Sequence, residues 1–496
     1  MFLIFDFYIL LPELFILSAS LFLLLFGVLV SNSFYFGFPI LSLTIGKFTL
    51  YVLLVVLILT FGSPLFSVSL LNNLIIYDSL FLGIKCILLL TFFIWTLLSL
   101  EYIKKEMINV FEYWILALFS LLAMYSIIAS FDILTLYLGI ELQSLIFYIM
   151  ASLKRTSEFS TEAGLKYFIL GAFSSAILLF GFSLLYSMTG LTHFEDINKL
   201  FLAEFLEKCF ILDGFFLSLL LILVSFMFKI SAAPFHMWSP DVYEGAPSSI
   251  TFFFALMPKI VIISLIIKLF HYNLQDVFFF WQNIFIFCAI SSLFIGTLGA
   301  FVQIKWKRLL AFSSINHIGF ILLGLSSGSL AGIETMFYYI FIYIFMTISL
   351  FTSFLSLRYK IYLKHNQIRY IKEIYMLGIT NPALSICFVI TLFSMGGIPP
   401  IAGFLAKVLI ILEVVKMKLW NIAFFTILMS AIACFYYLRL IKTLYFGQLK
   451  RWPFFLPLNK NLALISSFSS ISLLYFCIDP LTIQLPLKLC LLMLQI

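Results

Sequence analysis

Long apolar runs, spaced along almost the whole chain, limit what this sequence can fold into. Each run is bounded by charged residues, Pro or Gly, and about 20 apolar residues cross a bilayer as a helix. Only 10% of the residues are charged and 64% are hydrophobic, whereas soluble proteins have about 25% charged residues. We therefore predict an all-α polytopic membrane protein with about fourteen transmembrane helices, near 2–30, 41–61, 77–100, 111–130, 132–151, 163–188, 211–233, 248–270, 280–303, 308–326, 332–357, 382–417, 420–445 and 461–479.

Two of these predicted helices contain breaks. The seventh ends in Ala-Ala-Pro234, and the twelfth contains the sequence GGIPP at 396–400. Proline removes a backbone hydrogen bond, and lipid offers no replacement partner. Broken helices at membrane depth are tolerated only where they are buried in protein or line a wet cavity. The two breaks therefore indicate functional positions.

The basic residues predict the orientation of the chain. Lys and Arg number 29 and Asp and Glu number 22, a net charge of +7. The Lys and Arg residues form no stripe interleaved with aromatic residues, which argues against nucleic-acid binding. Loops after odd-numbered helices contain sixteen Lys and Arg, whereas the other loops and the C-terminus contain five, namely Lys199, Lys208, Lys416, Lys418 and Lys488. The positive-inside rule then places both termini on the intermembrane-space or periplasmic side.

Cofactor motifs are missing from the sequence. The seven cysteines are scattered without a CxxC, and we find no HExxH, GxGxxG or P-loop pattern. Iron–sulfur clusters and structural zinc need clustered ligands. We expect no redox centre, nucleotide or metal in this chain. The N-terminus has no transit-peptide or signal-cleavage pattern, so we interpret 1–30 as a retained spanning helix.

Four charged residues fall well inside apolar runs: Glu141, Lys229, Lys259 and Lys407. A charge at the bilayer centre costs about 2.5–3.5 kcal/mol. They either pair statically to hold helices together or form a relay of titratable groups. In a relay, burial favours the neutral form of each group, and a nearby opposite charge favours the charged form. On the relay hypothesis a Glu at position 407 would retain more activity than an Ala.

The remaining ionisable residues allow local explanations. Glu162 and Lys166 have the spacing of a solvated i,i+4 pair. His317 suits a proton carrier or a packing histidine, and His236 suits a local structural role. We expect Asp78 and Asp132 to cap helices. Snorkelling at helix ends explains Lys47, Lys85, Lys268 and Arg439.

Five motifs together resemble one family. They are FKISAAPFHMWSPDVYEGAP at 228–247, GIEL at 139–142, EAGLKYF at 162–168, KRLLAFSSINHIG at 307–319 and GIPPIAGFLAK at 397–407. This pattern closely resembles the antiporter-like subunits of respiratory complex I, in particular the subunit 2 family, called subunit N in bacteria. The resemblance spans nearly the whole chain. Its most specific part is the run from Asp241 to Pro247.

The resemblance implies a fold and a set of site residues. The family has two inverted five-helix repeats, helices 4–8 and 9–13, with helices 7 and 12 broken. The corresponding domains are 1–110, 111–270, 280–445 and 446–496. The family's proton residues fall on Glu141, Lys229, Lys259 and Lys407, with Glu162 and His317 as lesser members. FMN, iron–sulfur clusters and ubiquinone are expected in partner subunits, and other membrane-arm subunits and lipids are the expected partners.

The leading functional hypothesis is a non-redox subunit of a proton-translocating NADH:ubiquinone reductase in the mitochondrial inner membrane, with the bacterial plasma membrane as the alternative. A subunit of a multi-subunit sodium/proton antiporter or of a membrane-bound hydrogenase would share the fold. Broken helices also occur in independent secondary solute transporters. A passive scaffold would tolerate neutral substitution of Glu141 and Lys229. The role of the basic loop Arg358–Lys372 stays open.

Overall fold

The computed structural model describes residues 2–31, 40–64, 67–106, 108–202, 209–361, 364–375, 377–446 and 459–492. The predicted C-terminal domain, 446–496, and the basic loop 358–372 lie partly outside these residues. The chain divides into two compact units. The first contains Met1–Ile230, Gly245–Trp281 and Leu492–Ile496, and the second contains Ser231–Glu244 and Gln282–Leu491.

Helices α1 to α9 and α11 belong to the first unit. They are α1 Phe2–Ile9, α2 Leu11–Ser31, α3 Ile40–Phe61, α4 Ser79–Glu106, α5 Glu112–Ala129, α6 Ile133–Ala151, α7 Glu158–Thr189, α8 Phe194–Leu202, α9 Cys209–Ile230 and α11 Ser248–Ile266. A π-helix, Ile267–Asn273, extends α11 and is followed by a 3₁₀ turn at Gln275–Val277. Between α3 and α4, strands β1 Val68–Leu70 and β2 Ile75–Tyr77 form an antiparallel hairpin with Val68 opposite Tyr77.

Helix α10, Trp238–Gly245, belongs to the second unit except for Gly245, and α12, Phe278–Val302, enters that unit at Gln282. The later helices are α13 Trp306–Ser326, α14 Leu330–Ser356, α15 Leu377–Thr380, α16 Pro382–Gly396, α17 Ala402–Lys416, α18 Trp420–Tyr445, α19 Lys460–Ile478 and α20 Leu481–Leu492. Strands β3 Arg358–Ile361 and β4 Lys364–Gln367 pair antiparallel, with Arg358 opposite Gln367, and a 3₁₀ turn follows at Ile371–Ile374.

The predicted all-helical membrane fold is confirmed. Among the described residues, twelve helices are long and apolar enough to span a membrane, and two shorter apolar helices lie at Gly214–Ile230 and Pro382–Gly396. Every predicted helix position is occupied by a helix, although the first is divided between α1 and α2. Both predicted breaks are present, one between α9 and α10 and the other between α16 and α17. The finer domain boundaries stay a prediction.

Burial separates lipid-facing helices from central ones. Every residue of α11 is buried, whereas α2 exposes large apolar side chains such as Phe22 and Leu29. An apolar exterior is what a lipid solvent requires, since backbone polar groups are already paired within each helix. The fully buried helix α11 is therefore the position where a polar side chain is most shielded from lipid.

Candidate functional site

Glu141 occupies the first unit, near the middle of the 19-residue helix α6. Its side chain is partly buried, and its Oε2 atom is shielded and has no hydrogen-bond partner among the described residues. The predicted mid-helix position is therefore confirmed. A carboxylate oxygen without a donor keeps the capacity to interact with a cation or a proton.

Lys229 lies in the same unit, in the last turn of α9. The Lys229 ammonium is attracted electrostatically by Glu141. Within the described part of the chain, however, the two side chains form no direct ion pair. They are close enough to interact, and they can separate without breaking a contact. The role of the two residues as a switchable pair stays a prediction.

The end of α9 contributes to the environment of Lys229. The helix stops at Ile230, and Ser231 has a left-handed φ of 61°. The last carbonyl groups of a helix lack intrahelical partners and carry a partial negative charge. Lys229 therefore lies where a helix end stabilises a positive charge, in addition to the attraction from Glu141.

Lys259 is on the central helix α11, where its side chain is only 4% exposed. Pro258 precedes it inside the helix. Because proline has no N–H, the carbonyl four residues earlier, that of Phe254, loses its helical donor. The structure thus places Lys259 deep in the first unit, beside a local irregularity in the backbone.

Lys407 belongs to the second unit, one turn into α17. Its Nζ donates to the carbonyl oxygens of Met395 and Gly396, both at 2.8 Å, at the end of the preceding half-helix α16. Gly397 follows with a left-handed φ of 79°. Lys407 therefore caps the broken end of α16, while its ammonium lies 5.3 Å from the centre of the Phe320 ring.

This geometry contradicts the expectation that Glu could replace Lys407. A carboxylate cannot donate a hydrogen bond. It would face two carbonyl oxygens at the negative end of a helix. The position requires a hydrogen-bond donor and disfavours a negative charge.

His317 is 1% exposed and is surrounded by tyrosines of the second unit. Its Nδ1 lies 2.7 Å from the Tyr339 hydroxyl, and its Nε2 lies 3.4 Å from the Tyr437 hydroxyl. The Tyr343 ring centre is 5.3 Å away. Both ring nitrogens therefore have hydroxyl partners, each of which can donate or accept a proton.

Aromatic contacts connect His317 with Lys407. Phe320, whose ring lies beneath the Lys407 ammonium, stacks on Tyr339 at a centroid distance of 5.8 Å. Tyr339 in turn hydrogen-bonds His317. The structure thus brings His317 and Lys407, two of the predicted site residues, into one cluster together with tyrosines that no sequence motif indicates.

Glu162 lies apart from these buried groups. It is exposed on α7 and pairs with Lys166 at 2.7 Å in the i,i+4 arrangement. The solvated pair suggested by the spacing is confirmed. Any role of Glu162 in proton transfer stays a prediction.

The Asp241–Pro247 motif contains two acidic residues that form ion pairs within the second unit. Arg308 contacts Asp241 at 2.6 Å and Glu244 at 2.5 Å, and Lys305 also pairs with Glu244. These contacts join the second half of the broken helix, α10, to the start of α13. The motif therefore has an architectural reason for its acidic residues.

The first unit also contains a buried charged cluster that no sequence motif indicates. Lys85 is fully buried and pairs with Glu13 at 2.5 Å, and Tyr77 also hydrogen-bonds Glu13. The prediction that Lys85 snorkels is therefore wrong. Glu13 is 72 residues away from Lys85 in sequence. The only local indication of this pair is that Glu13, a charged residue, lies within the first apolar run.

Other local predictions have mixed outcomes. Asp132 caps α6, since its Oδ1 accepts from Leu134 N at 2.8 Å. His236 Nδ1 lies 3.3 Å from the Pro234 carbonyl oxygen, in keeping with a local role. Lys268 does not extend from a helix end, because its Nζ bonds the Ile128 carbonyl oxygen at 3.2 Å. Asp78 lines a cavity that Lys268 also lines.

Known proteins are similar to this chain in sequence and in fold. A family model described as "NADH:quinone oxidoreductase/Mrp antiporter, TM" matches residues 130–433. NADH-ubiquinone oxidoreductase chain 2 of Marchantia polymorpha is 42% identical over 98% of this chain and 99% of the relative. NADH-quinone oxidoreductase subunit N of Paramagnetospirillum magneticum is 36% identical over 95% of this chain and 94% of the relative.

Two solved structures have the same fold at lower identity. A chain of respiratory complex I from Thermus thermophilus has a TM-score of 0.77 at 24% identity, covering 95% of this chain and 98% of that one. A chain of the Mrp complex from Dietzia sp. has a TM-score of 0.78 at 16% identity, covering 97% and 96%. The fold is thus found in a respiratory complex I chain and in an Mrp complex chain. The two relatives of higher identity quoted above are both NADH oxidoreductase subunits. The chain belongs to the family of NADH-ubiquinone oxidoreductase chain 2 and NADH-quinone oxidoreductase subunit N.

Proposed function

We propose that this chain is a proton-translocating membrane-arm subunit of NADH:ubiquinone oxidoreductase. The observation that carries the proposal is the placement of Glu141 in the middle of α6 and of Lys229 at the end of the broken helix α9. The two residues interact electrostatically, with no direct ion pair between them among the described residues. Family membership supports the assignment to this complex. The chain itself would perform no redox chemistry, and electron transfer in other subunits would drive the relay.

The proposed mechanism follows from charge separation. With Glu141 near, its negative charge stabilises the protonated form of Lys229. When Glu141 moves or becomes neutral, that attraction is lost and Lys229 releases its proton. Lys259, shielded in α11, is the proposed next carrier. In the second unit, His317 and its tyrosine hydroxyls would pass the proton toward Lys407.

The proposal includes the partners and the location of the chain. Neighbouring membrane-arm subunits and lipids would surround it, and FMN, iron–sulfur clusters and ubiquinone would reside in partner subunits. The location is the mitochondrial inner membrane, or the plasma membrane in bacteria, with both termini on the intermembrane-space or periplasmic side. We propose no cofactor in this chain. Among the described residues, no group of three His, Cys, Asp or Glu side chains could hold a metal ion.

The sodium/proton antiporter hypothesis shares the fold but has weaker support. The Mrp neighbour is only 16% identical, whereas the oxidoreductase relatives quoted above are 36% and 42% identical. Experiments can distinguish the proposed function from the two other hypotheses, an independent solute transporter and a passive scaffold. Solute uptake by the isolated chain in liposomes would support the former.

The test measures protons pumped per electron in the assembled complex in sealed vesicles. We expect Glu141→Gln and Lys229→Met each to lower this ratio. Because the two residues act as one unit, the double variant should be little worse than either single variant. Glu158→Gln and Lys47→Met are matched controls, since both residues are exposed. Normal ratios in both single variants, with normal assembly, would contradict the proposal.

A further inference from the structure

A polar cavity of the first unit lies at the C-terminal end of helix α11. It encloses about 410 Å³ and is lined by Asp78, Glu195 and Lys268, among other residues. These three residues come from the segment before α4, from α8 and from the π-helix that extends α11. The charge count of the loops places this end of α11 on the same side as both termini. None of the three residues is among the proposed relay residues.

Lys268 is held at the wall of this cavity. It lies in the π-helix, Ile267–Asn273, and π-helical segments occur frequently at functional sites. Its Nζ bonds the Ile128 carbonyl oxygen at 3.2 Å and lies 5.5 Å from the centre of the Phe131 ring. Lys268 and Asp78 attract each other electrostatically, but they form no direct ion pair within the described residues.

One further observation indicates that the cavity holds water. The Tyr272 hydroxyl is shielded, lines the cavity and has no hydrogen-bond partner among the described residues. Such a group normally bonds an ordered water. Burial raises the pKa of the Asp78 carboxyl, the Lys268 charge lowers it and the Glu195 charge raises it. Asp78 is therefore set to bind and release protons closer to neutral pH than an ordinary aspartate.

The cavity also extends toward Lys259. Ser264 lines it and lies on α11 between Lys259 and Lys268. It follows Lys259 by five residues, a rise of about 7.5 Å along the helix. The vestibule therefore begins about 7.5 Å along the helix axis from Lys259, on a different face of α11. Lys268 lies one turn further out.

We propose that this cavity is a water-filled outer vestibule in which Lys268 and Asp78 transfer protons between Lys259 and the outer aqueous phase. The protonated Lys268 amine gives its proton to the Asp78 carboxylate, and the resulting carboxylic acid gives it to a water molecule. Neutral Lys268 then accepts the next proton from the Lys259 side. This inference rests on the proposed proton-translocating function and adds an opening in the first unit.

Water access is tested by cysteine labelling in the complete complex. Ser264→Cys places a thiol on the cavity wall, and Ser248→Cys places one at the opposite end of the same helix. Both native serines are buried. We expect a small membrane-impermeant thiosulfonate added to the outer face to modify the thiol of Ser264→Cys but not that of Ser248→Cys. Modification is read by mass spectrometry of the corresponding peptide, which separates it from the native cysteines. An unmodified thiol in Ser264→Cys after treatment of the outer face would overturn the vestibule.

Proton transfer is tested by substitution at the two charged positions. Lys268→Met and Asp78→Asn should each lower the protons pumped per electron, and Lys268→Arg should also lower it because arginine keeps its proton. The matched control is Asp196→Asn, since Asp196 is an exposed carboxylate on α8 that does not line the cavity. If Lys268→Arg retains full pumping, Lys268 acts only as a fixed charge and the proposed transfer step is wrong.

Lys229→Met separates this inference from the proposed function. If Lys229→Met lowers pumping while Lys268→Met and Asp78→Asn pump normally, only the vestibule inference fails. If Lys229→Met also pumps normally, the proposed function fails. Where Lys268→Met does not assemble, the labelling of Ser264→Cys decides the question.

Discussion

Removing the charge at position 407 should uncouple the two halves of the broken helix as well as stop proton transfer. Lys407 donates to the carbonyl oxygens of Met395 and Gly396, each at 2.8 Å, and its side chain is 4% exposed. Lys407→Met keeps the apolar stem but removes both donors. Neither lipid nor the neighbouring Phe320 ring can replace them.

The size of the effect follows from these two bonds. A hydrogen bond to a charged group contributes about 1.5–3 kcal/mol. Losing both bonds should therefore destabilise the folded end of α16 by at least about 3 kcal/mol. Since 1.4 kcal/mol corresponds to a factor of ten, the open state of this end should become about a hundredfold more populated.

Hydrogen exchange measures this opening directly. The amides of Gly397 and Ile398 both donate to the Phe393 carbonyl oxygen, at 2.9 and 3.1 Å. In Lys407→Met these amides should exchange about a hundredfold faster, provided that the helix end closes again faster than the open amides exchange. Unchanged exchange would refute the assignment of Lys407 as the cap of α16.

Comparison of three variants separates the cap from proton transfer. Lys407→Arg retains donors and charge, so exchange should stay slow while pumping falls, because arginine does not release its proton. Lys407→Glu should be worse than Lys407→Ala in both measurements, since its charge would face the negative end of α16. Normal pumping by Lys407→Arg would show that Lys407 acts only as a fixed positive charge.

Three further substitutions test local features of the structure. Gly245→Ala should block assembly, because an added Cβ would lie 2.3 Å from the Phe159 carbonyl oxygen. The amount of complex on a native gel measures this, and normal abundance would contradict the packing. Tyr339→Phe should lower the pumping rate while costing about 1 kcal/mol of stability, because it removes one hydrogen bond to His317. Unchanged pumping would exclude Tyr339 from the relay. Arg308→Ala should cost about 1 kcal/mol or less, since its ion pairs are partly exposed. A fall in melting temperature of more than a few degrees would show that these pairs matter more.

The sequence predicted the helices well because the bilayer fixes their length. Both breaks were also predictable, since Pro234 and Pro399 fall inside runs that must cross lipid. The mid-helix position of Glu141 followed from counting residues within one run. These properties depend on local sequence alone.

Tertiary pairing was not predictable in the same way. Lys85 lies near a helix start, where snorkelling is the usual explanation, but α2 supplies Glu13 from 72 residues away. The tyrosines at His317 come from α14 and α18. In a chain with 24 Tyr and 62 Phe, no local pattern distinguishes a hydroxyl in a relay from one in the core. Only the packing of distant helices does so.

The buried lysines differ in what neutralises them, and this difference explains which of them suit a relay. Lys85 directly contacts the carboxylate of Glu13, so deprotonating it would leave that partly buried carboxylate without a contacting positive charge. Lys229 has its carboxylate, Glu141, at a distance, and Lys407 has two carbonyl oxygens in place of an ion partner. A neutral amine still bonds to a carbonyl group. Loss of a proton at Lys229 or Lys407 therefore leaves no contacting counter-charge behind. The two broken helices supply carbonyl groups at membrane depth, which lets a lysine alternate between charged and neutral forms without unfolding its surroundings.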